Sequence, residues 1–570
     1  MPRYPLRGVL AVLAAVLLAP ELRAQSAAER FDVVIINGRV LDGSGNPWFR
    51  ADVGIRGDRV AAIGDLAGAD ATHVIDARGR IVAPGFIDIH SHADDNTTGG
   101  GRRTLRDDDA RRRSAPNLVT QGITTVVVNQ DGRSPWPIRD QRRTLERLGI
   151  GPNALLMIGH GEVRRRALGN DFRRPASAEE IGRMRDMVRE GMRDGAFGIS
   201  AGLEYAPGRW STTDELVAIV EEIVPARGIY ISHERSEGND PMWYWPSQDQ
   251  PGPPTLLDAV SETIEIGERT GAIVVASHIK AKGAGYWGSG RAAIQLIESA
   301  RARGVQVYAD QYPYDTSGSD GNTVLIPEWA TAGGSSFVDN LRNVLADTGR
   351  AAALRTDIAH EIRRRGGAEK VVIFDYPDST FIGKTLSELA AARDVNAIEM
   401  AIALQLEGFH DRRGGARVRG FSLSEIDIEM YAAKPWVATA TDGGIALPED
   451  GPGTHARYYG TFPRKIRQYA LDRGVITLED AVRSSTALPA QILGLTDRGL
   501  LRPGVCADIV VFDPARIRDK STFFEPHQYA EGIDWVLING QPVVEDGRPN
   551  GALPGRVITN QQRSGTGVSQ

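Results

Sequence analysis

Two histidines one residue apart are the first feature of this sequence that could do chemistry. The apolar segment 84–92 ends in His90, Ser91 and His92. Side chains at positions i and i+2 of a strand point to the same side, so the imidazoles of His90 and His92 can share one metal ion. Such a pair also arises by chance, and its meaning therefore depends on whether the chain supplies further ligands.

Further candidate ligands follow other β-like runs of the chain. His233 follows one run, His278 follows the next, and Asp442 follows the last. Neutral imidazoles together with a carboxylate are ligands that suit zinc, with a coordination position left for water. These residues can act together only if the fold brings the ends of their strands to one place.

The part of the chain that carries these candidate ligands alternates between apolar β runs and amphipathic helical patterns such as 179–194 and 291–303. Eight such β runs predict an α/β fold of the (β/α)8 TIM-like barrel type, whose active sites lie at the carboxyl ends of the strands. Roughly a hundred residues separate the last two runs, which indicates an inserted subdomain at about 318–436 within a barrel at 84–498. The β runs are 85–90, 124–128, 154–158, 196–200, 228–231, 272–276, 305–309 and 437–441.

Short β-like runs with turn residues lie at both ends of the chain, at 31–83 and 499–556. The similar segments Ile36–Gly38 and Ile538–Gly540 predict equivalent hairpins. We expect one small β-sandwich built from both termini, beside the barrel, and a tail at 557–570.

The remaining features of the sequence bear on the cellular location and partners of the protein rather than on its chemistry. Arg3 and Arg7 precede an apolar run at 9–19, a pattern typical of a secretory signal peptide at 1–24, so we expect a periplasmic or secreted protein. No later stretch is long and apolar enough to predict a membrane span. The net charge is −6 without a basic stripe, so nucleic acid is not an expected partner. The single cysteine, Cys506, excludes an internal disulfide.

This arrangement resembles the amidohydrolase superfamily, and within it the N-acyl-D-amino-acid deacylases, or D-aminoacylases. The resemblance covers nearly the whole chain after the signal segment. The similar motifs are Gly159–Arg164, Gly198–Gly208, Asp310–Tyr314 and His455–Arg464, in this order.

The resemblance implies a zinc centre of one or two ions. Its ligands would be the four histidines and Asp442, which would also act as the catalytic acid and base by taking a proton from water and passing it to the leaving nitrogen. The alternative is that these are structural polar residues. The implied ligands are His90, His92, His233, His278 and Asp442.

One position departs from the family. In D-aminoacylases a cysteine at the end of the second strand bridges the metals, whereas this chain has Asn129-Gln130-Asp131-Gly132 there. Glu204 ends the fourth strand, where other branches of the superfamily place a carboxylated lysine or a glutamate. We therefore expect Glu204 to bridge, with Asp131 as its competitor. The alternative is that Glu204 forms a salt bridge and the enzyme holds one metal.

The family resemblance also implies substrate contacts. Arg457 would hold the substrate α-carboxylate through two parallel hydrogen bonds. Lys280 and Tyr312 would complete the carboxylate and carbonyl environment, and Tyr312 could donate to the developing oxyanion. Structural ion pairs are the alternative. His160 either lines the pocket as a hydrogen-bonding residue or is a buried structural histidine.

The function predicted on these grounds is metal-dependent hydrolysis of a small linear amide, the deacylation of an N-acyl-D-amino acid. Two alternatives stay open. One is a dipeptidase, isoaspartyl or D-terminal, or a cyclic-amide hydrolase of the same superfamily. The other is a periplasmic metal- or ligand-binding protein without turnover. The substrate's side chain and acyl group, and the oligomeric state, are not predicted.

Overall fold

The computed structural model describes residues 30–94, 104–318 and 323–562. The predicted signal peptide lies outside these residues. No helix among those described is long and apolar enough to cross a membrane.

Eight parallel strands form the barrel, which confirms the predicted fold class. Neighbouring strands pair in parallel, and the third is interrupted at Met157. The ring closes between the last strand and the first through a bridge from Ser91 to Gly443 and a 2.9 Å hydrogen bond from Asp442 N to His90 O. The strands are Phe86–Asp88, Ile123–Val128, Asn153–Leu156 with Ile158–Gly159, Gly198–Gly202, Ile229–His233, Ile273–Ala276, Val307–Gln311 and Val437–Thr439.

Amphipathic helices surround the barrel and bury one face against it. The helix Ala178–Arg193 shows how the sequence specifies these elements. Ser177 and Glu180 form a reciprocal capping box at its start, and Met184 and Val188 lie on its buried face. The helices of the barrel are Ala110–Arg113, Pro116–Val119, Ile138–Leu148, His160–Leu168, Ala178–Arg193, Thr213–Val220, Leu256–Thr270, Gly290–Ala302, Glu425–Ala432, Arg457–Arg464 with the π-helical Lys465–Asp472, Leu478–Ser485 and Ala487–Leu493.

The two ends of the chain form one β domain, in the place where a small β-sandwich is expected from the sequence. Strand Ile81–Pro84 pairs antiparallel with Ile509–Phe512, which joins the two halves into a nine-stranded sheet with its own apolar core. The strands follow one hydrogen-bonded path that branches at Phe31–Val40. The others are Phe49–Arg56, Arg59–Gly64, Ala71–Asp76, Ile533–Ile538, Gln541–Glu545 and Arg548–Pro549.

Only one of the two predicted equivalent hairpins is a hairpin. Asn539 and Gly540, with φ of 49° and 79°, form the turn between two adjacent strands. Asn37, with φ of 59°, lies inside Phe31–Val40, where the strand register shifts. The prediction for Ile36–Gly38 was wrong because an Asn-Gly pair also suits a bulge, which needs the same left-handed backbone.

The insertion packs on the loops that follow barrel strands five and six. It has its own hydrophobic core, and Ala284 N of the sixth-strand loop donates to Arg363 O of its longest helix at 3.1 Å. The helix Glu425–Ala432 packs against the barrel helix Gly290–Ala302, so the inserted unit ends before residue 436. Its elements are Glu328–Thr331, Phe337–Ala346, Thr348–Arg364, Leu386–Ala392, Ala397–Glu407 and the hairpin Val371–Asp375 with Arg417–Gly420.

The described part of the predicted tail adds to the barrel sheet. Val557–Ile558 pairs in parallel with Asn153–Leu156, beside the interruption of the third strand. Among the described residues, the short helical turns include Gly208–Trp210, Glu221–Ala226, Ala368–Lys370, Ser379–Phe381, Pro448–Asp450 and Asn560–Gln562.

Candidate metal centre

The four predicted histidine ligands converge at the carboxyl ends of strands one, five and six. His90 Nε2 and His92 Nε2 are 3.4 Å apart, and His233 Nδ1 and His278 Nε2 are 3.0 Å apart. Asp442 Oδ1 lies 3.0 Å from His92 Nε2. The structure therefore brings these five residues together, as the metal hypothesis requires.

Asp131 lies in the middle of this group. Its Oδ1 is 3.6 Å from His90 Nε2, His233 Nδ1 and His278 Nε2, and its Oδ2 is 3.6 Å from His92 Nε2. Oδ1 is buried and has no hydrogen-bond partner among the described residues. An unsatisfied buried carboxylate oxygen is costly, so its surroundings fit a cation.

The spacing of the donor atoms supports the same conclusion. Ligands about 2.0–2.1 Å from a tetrahedral zinc ion are about 3.4 Å from one another. The separations between donor atoms here run from 3.0 to 3.6 Å. The imidazoles and carboxylates therefore fit a zinc site in both kind and spacing.

The backbone around Asp131 explains why this carboxylate reaches the centre. Asp131 and Gly132 have φ of 57° and 73°, a left-handed turn that aspartate and glycine tolerate better than most residues. A Cβ at Gly202 would lie 2.2 Å from Asp131 O, and a Cβ at Gly132 would lie 2.9 Å from Gly202 N. Glycines of the motif 198–208 thus allow the ends of strands two and four to approach each other.

Glu204 does not occupy the bridging position expected for it. Its Oε2 lies 3.0 Å from His233 Nε2, and its Oε1 accepts a hydrogen bond from Met242 N at 2.5 Å. Since His233 turns Nδ1 toward the cluster, Glu204 contacts the opposite edge of the same ring. The correction has a simple cause, because a position at a strand end does not determine which ring nitrogen the side chain meets. Glu204 instead orients His233.

Three residues that sequence reasoning missed orient the other ligands. His90 Nδ1 lies 2.5 Å from Ser277 Oγ, which donates to Asp310 Oδ2 at 2.7 Å. Burial raises the pKa of Asp310 to about 6, so it is mostly ionised near neutral pH. His278 Nδ1 lies 3.2 Å from Glu237 Oε1. The contacts with Ser277 and Glu204 assign the proton to the outer nitrogens of His90 and His233 and leave their inner nitrogens free to bind a metal.

Asp442 is held in a strained turn just after strand eight. Its φ is 47°, and the preceding residue, Thr441, donates its N–H and hydroxyl to the buried Asp88 at 2.8 and 2.5 Å. Burial alone would raise the pKa of Asp442, but the Arg457 guanidinium and the imidazoles outweigh it and hold the pKa well below its usual value. Asp442 is therefore a carboxylate with one oxygen at the cluster and the other at Arg457.

Arg457 and Tyr312 offer donors beside the cluster. Arg457 Nη1 forms an ion pair with Asp442 Oδ2 at 2.8 Å, but neither Nη1 nor Nε has a hydrogen bond of good geometry among the described residues. The guanidinium lies 4.6 Å from the Tyr312 ring centre, and the buried Tyr312 hydroxyl also lacks a partner within the described ranges. His455 Nδ1 accepts from Arg457 N at 3.0 Å and fixes this helix start. Both side chains can therefore receive an anionic ligand.

Lys280 and His160 differ from the substrate contacts expected of them. Lys280 Nζ contacts Glu237 Oε1 and lies 2.8 Å from His278 Nδ1, so its ammonium serves the ligand network. His160 is fully buried, with Nε2 3.0 Å from Glu215 Oε1, which also binds Arg164. Of its two open interpretations, the geometry fits the buried structural histidine, because Nε2 pairs with Glu215 and the ring is in none of the groups among the described residues that could hold a metal ion.

A cavity of about 460 Å³ opens beside Asp131. Tyr205, Arg133 and backbone of the glycine-rich turns line it. A second cavity of about 200 Å³ lies between Glu204, Glu237 and the insertion helix that carries His360 and Arg364. Asp131 and Glu204 therefore each lie in the wall of a cavity.

Comparisons with known proteins agree with this architecture. The model of the Amidohydrolase family matches residues 73–224 and 345–544. A D-aminoacylase of Alcaligenes xylosoxydans xylosoxydans is 34% identical over 94% of this chain and 99% of its own length. An N-acyl-D-glutamate deacylase of the same organism is 33% identical over 93% of this chain and 97% of its own length.

Solved structures are similar over the same extent. An N-acyl-D-glutamate deacylase from Bordetella bronchiseptica, complexed with zinc and a phosphonate inhibitor that mimics the tetrahedral intermediate, is 30% identical with a TM-score of 0.70, and the match covers 93% of this chain and 100% of that one. A D-aminoacylase described as having a binuclear metal centre, with one-metal activation and second-metal attenuation, is 31% identical with the same coverage and a TM-score of 0.70.

Proposed function

The chain belongs to the amidohydrolase family and is related along nearly its full length to D-aminoacylases, and from this premise we propose that it is a zinc-dependent hydrolase of N-acyl-D-amino acids. The products are a carboxylate and a free D-amino acid. The observation that carries the proposal is the convergence of four imidazoles, Asp131 and Asp442 beside the unsatisfied donors of Arg457 and Tyr312.

The metal would be held by the inner nitrogens of His90, His92, His233 and His278 with the carboxylates of Asp131 and Asp442. When bound, zinc polarises the amide carbonyl and lowers the pKa of a water molecule. Ser277 and Glu204 keep His90 and His233 in the tautomers that this requires, and Glu237 holds the ring of His278 in place.

Side chains of the protein then transfer the proton and stabilise the negative charge that develops on the carbonyl oxygen. Asp442 accepts a proton from the attacking water and delivers it to the leaving nitrogen, since its carboxylate is buried beside the cluster. The Tyr312 hydroxyl, which has no other partner among the described residues, donates to the carbonyl oxygen as negative charge develops there.

Arg457 selects linear substrates that carry an α-carboxylate. Nη1 of its buried guanidinium pairs with Asp442, and Nε, which has no hydrogen-bond partner among the described residues, can donate a charge-assisted hydrogen bond to a carboxylate. A hydantoin-like cyclic amide has no such group, so Arg457 favours N-acyl amino acids over cyclic amides. The preference for the D configuration is supported by the related deacylases.

A substrate panel tests the proposal. Metal-reconstituted protein should hydrolyse N-acyl-D-amino acids, and should act far more slowly on the L enantiomers and on N-acylamines without a carboxylate. Cleavage of D-terminal or isoaspartyl dipeptides alone would replace the deacylase proposal with a dipeptidase. Metal binding without any turnover would favour the non-catalytic binding protein.

Export from the cytoplasm is the second part of the proposal. It is supported by the arginines, the apolar run 9–19 and Ala24 before Gln25 in the sequence. Mass spectrometry of the protein from the periplasmic fraction should give a mature chain that begins near Gln25. Recovery of the uncleaved chain from the cytoplasm would contradict export.

A further inference from the structure

We infer that Asp131 bridges two divalent ions, one through each carboxylate oxygen, and that this thiolate-free pair accepts Mn²⁺ and Co²⁺ as well as zinc. The inference rests on the metal role proposed above but not on the proposed substrate. It concerns what this chain's own donor atoms can hold.

The first argument is that two ligand groups share Asp131. His90 and His92 form one group with it, and His233 and His278 form the other. The carboxylate presents Oδ2 to His92 and Oδ1 to His233 and His278, each at 3.6 Å between donor atoms. Oδ1 also lies 3.6 Å from His90 Nε2, so this one side chain contacts both histidine pairs, with Oδ2 at His92.

The number of donors is the second argument. A four-coordinate ion cannot use four imidazoles together with Asp131 and Asp442. Two ions can, because His90, His92, Asp442 and Asp131 complete one shell. His233, His278 and Asp131 leave one position open on the other, which is the pattern of a catalytic zinc site.

The competing carboxylate is already satisfied. Glu204 accepts from Met242 N with one oxygen and contacts His233 Nε2 with the other. Asp131 Oδ1 is buried without a hydrogen-bond partner among the described residues. Glu204 also forms a group with His233 and Glu237 that could hold a metal ion, but of these two carboxylates only Asp131 has a buried oxygen without a hydrogen-bond partner among the described residues.

The chemistry of the donors determines the metals. Imidazole and carboxylate bind zinc well and also suit manganese and cobalt, whereas thiolates favour softer ions. The chain's single cysteine, Cys506, is buried in the β domain and donates to Asp497 Oδ2 at 3.3 Å. No thiolate is therefore available to this centre.

Metal titration of the full-length, metal-free protein tests the inference without any substrate. We expect about two Co²⁺ or two Mn²⁺ per chain, with magnetic coupling of the Mn²⁺ pair in electron paramagnetic resonance. The Co²⁺ protein should show weak visible bands and no thiolate-to-cobalt charge-transfer band in the near ultraviolet. Asp131→Cys should add that band. One ion per chain in the wild type, or no new band in a folded, cobalt-loaded Asp131→Cys variant, would overturn the bridge.

Asp131→Asn and Glu204→Gln form the matched pair of variants. Asparagine tolerates the left-handed φ of 57° at this position, so Asp131→Asn should keep the unfolding temperature of the metal-free protein. At saturating metal it should still lack one of the two ions, whereas Glu204→Gln under the same conditions should hold both. Retention of two ions by Asp131→Asn, or loss of an ion from Glu204→Gln alone, would contradict the inference.

The two proposals can fail separately in this design. A protein that binds two ions but hydrolyses no amide would reject the deacylase and leave the bridge intact. An active deacylase with one ion per chain would reject the bridge and leave the deacylase intact.

Discussion

Asp131 and Glu204 are two carboxylates that contact opposite edges of one imidazole, and the contrast between them shows what makes a metal ligand. Asp131 follows strand two, and its Oδ1, which has no hydrogen-bond partner among the described residues, lies 3.6 Å from His233 Nδ1. Glu204, after strand four, meets His233 Nε2 at 3.0 Å, and its other oxygen is occupied by Met242 N. We infer that the carboxylate whose oxygen lacks a hydrogen-bond partner is the metal ligand and that the partnered carboxylate orients the ligand.

The largest effect should follow from removing the charge of Asp131. In Asp131→Asn the loss of one ion removes about 5.5 kcal/mol of transition-state stabilisation, which is about 10⁴-fold in rate. Deacylase kinetics with parallel metal analysis measure it. Near wild-type turnover of Asp131→Asn would contradict the assignment of Asp131, rather than Glu204, as a metal ligand.

Asp442 tests whether a carboxylate at the cluster can also be the proton carrier. Asp442→Asn keeps a ligand oxygen but cannot accept the proton, so kcat should fall about 10³-fold. The ion at His233 and His278 should remain, as elemental analysis would show. A comparable loss of both ions would mean that Asp442 acts only as a ligand.

Glu204→Gln should have a smaller effect, because the amide oxygen can still accept from a ring N–H. Metal affinity should fall about 10- to 100-fold, the range found for residues that orient a ligand. Saturating zinc should restore most of the activity. Failure of zinc to rescue Glu204→Gln would place Glu204 among the ligands themselves.

Arg457→Lys tests whether Arg457 binds the substrate α-carboxylate, a role that is independent of Asp131 and Glu204. Lysine lacks the planar pair of donors, so KM should rise about tenfold with kcat little changed. Steady-state kinetics on an N-acyl-D-amino acid and on the matching N-acylamine separate the contributions. An equal effect of the substitution on both substrates would remove the carboxylate role.

The smallest effect on the site should come from His160, whose imidazole pairs with the buried Glu215. His160→Gln should lower the free energy of unfolding by about 1–3 kcal/mol through a weakened buried hydrogen bond. Metal content should be unchanged, as denaturant unfolding and metal analysis would show. A loss of metal in this variant would show that His160 contributes to the metal site.

Much of the barrel could be predicted because its strands are short apolar runs and its ligands follow them directly. His90, His92, His233, His278 and Asp442 stand at such strand ends, where the fold must gather them. The two-residue strand Val557–Ile558 was too short to show any periodicity. Asn37 and Asn539 share a dipeptide that serves equally in a bulge and a turn.

The roles of the surrounding polar residues depend on orientation, which the sequence does not encode locally. Glu204 and Asp131 both follow strands, and only the ring orientation of His233 separates their roles. The contact from His90 through Ser277 to Asp310 joins three strands. Glu237 lies in a loop without periodic pattern, so only the folded chain reveals its contact with His278.

Anomalous diffraction from crystals of the zinc-loaded protein tests the central claim most directly. We expect two zinc peaks, each about 2.0–2.2 Å from a different oxygen of Asp131, one beside His90 and His92 and the other beside His233 and His278. A single zinc ion, or a zinc ion coordinated by Glu204 with Asp131 turned away, would contradict this account.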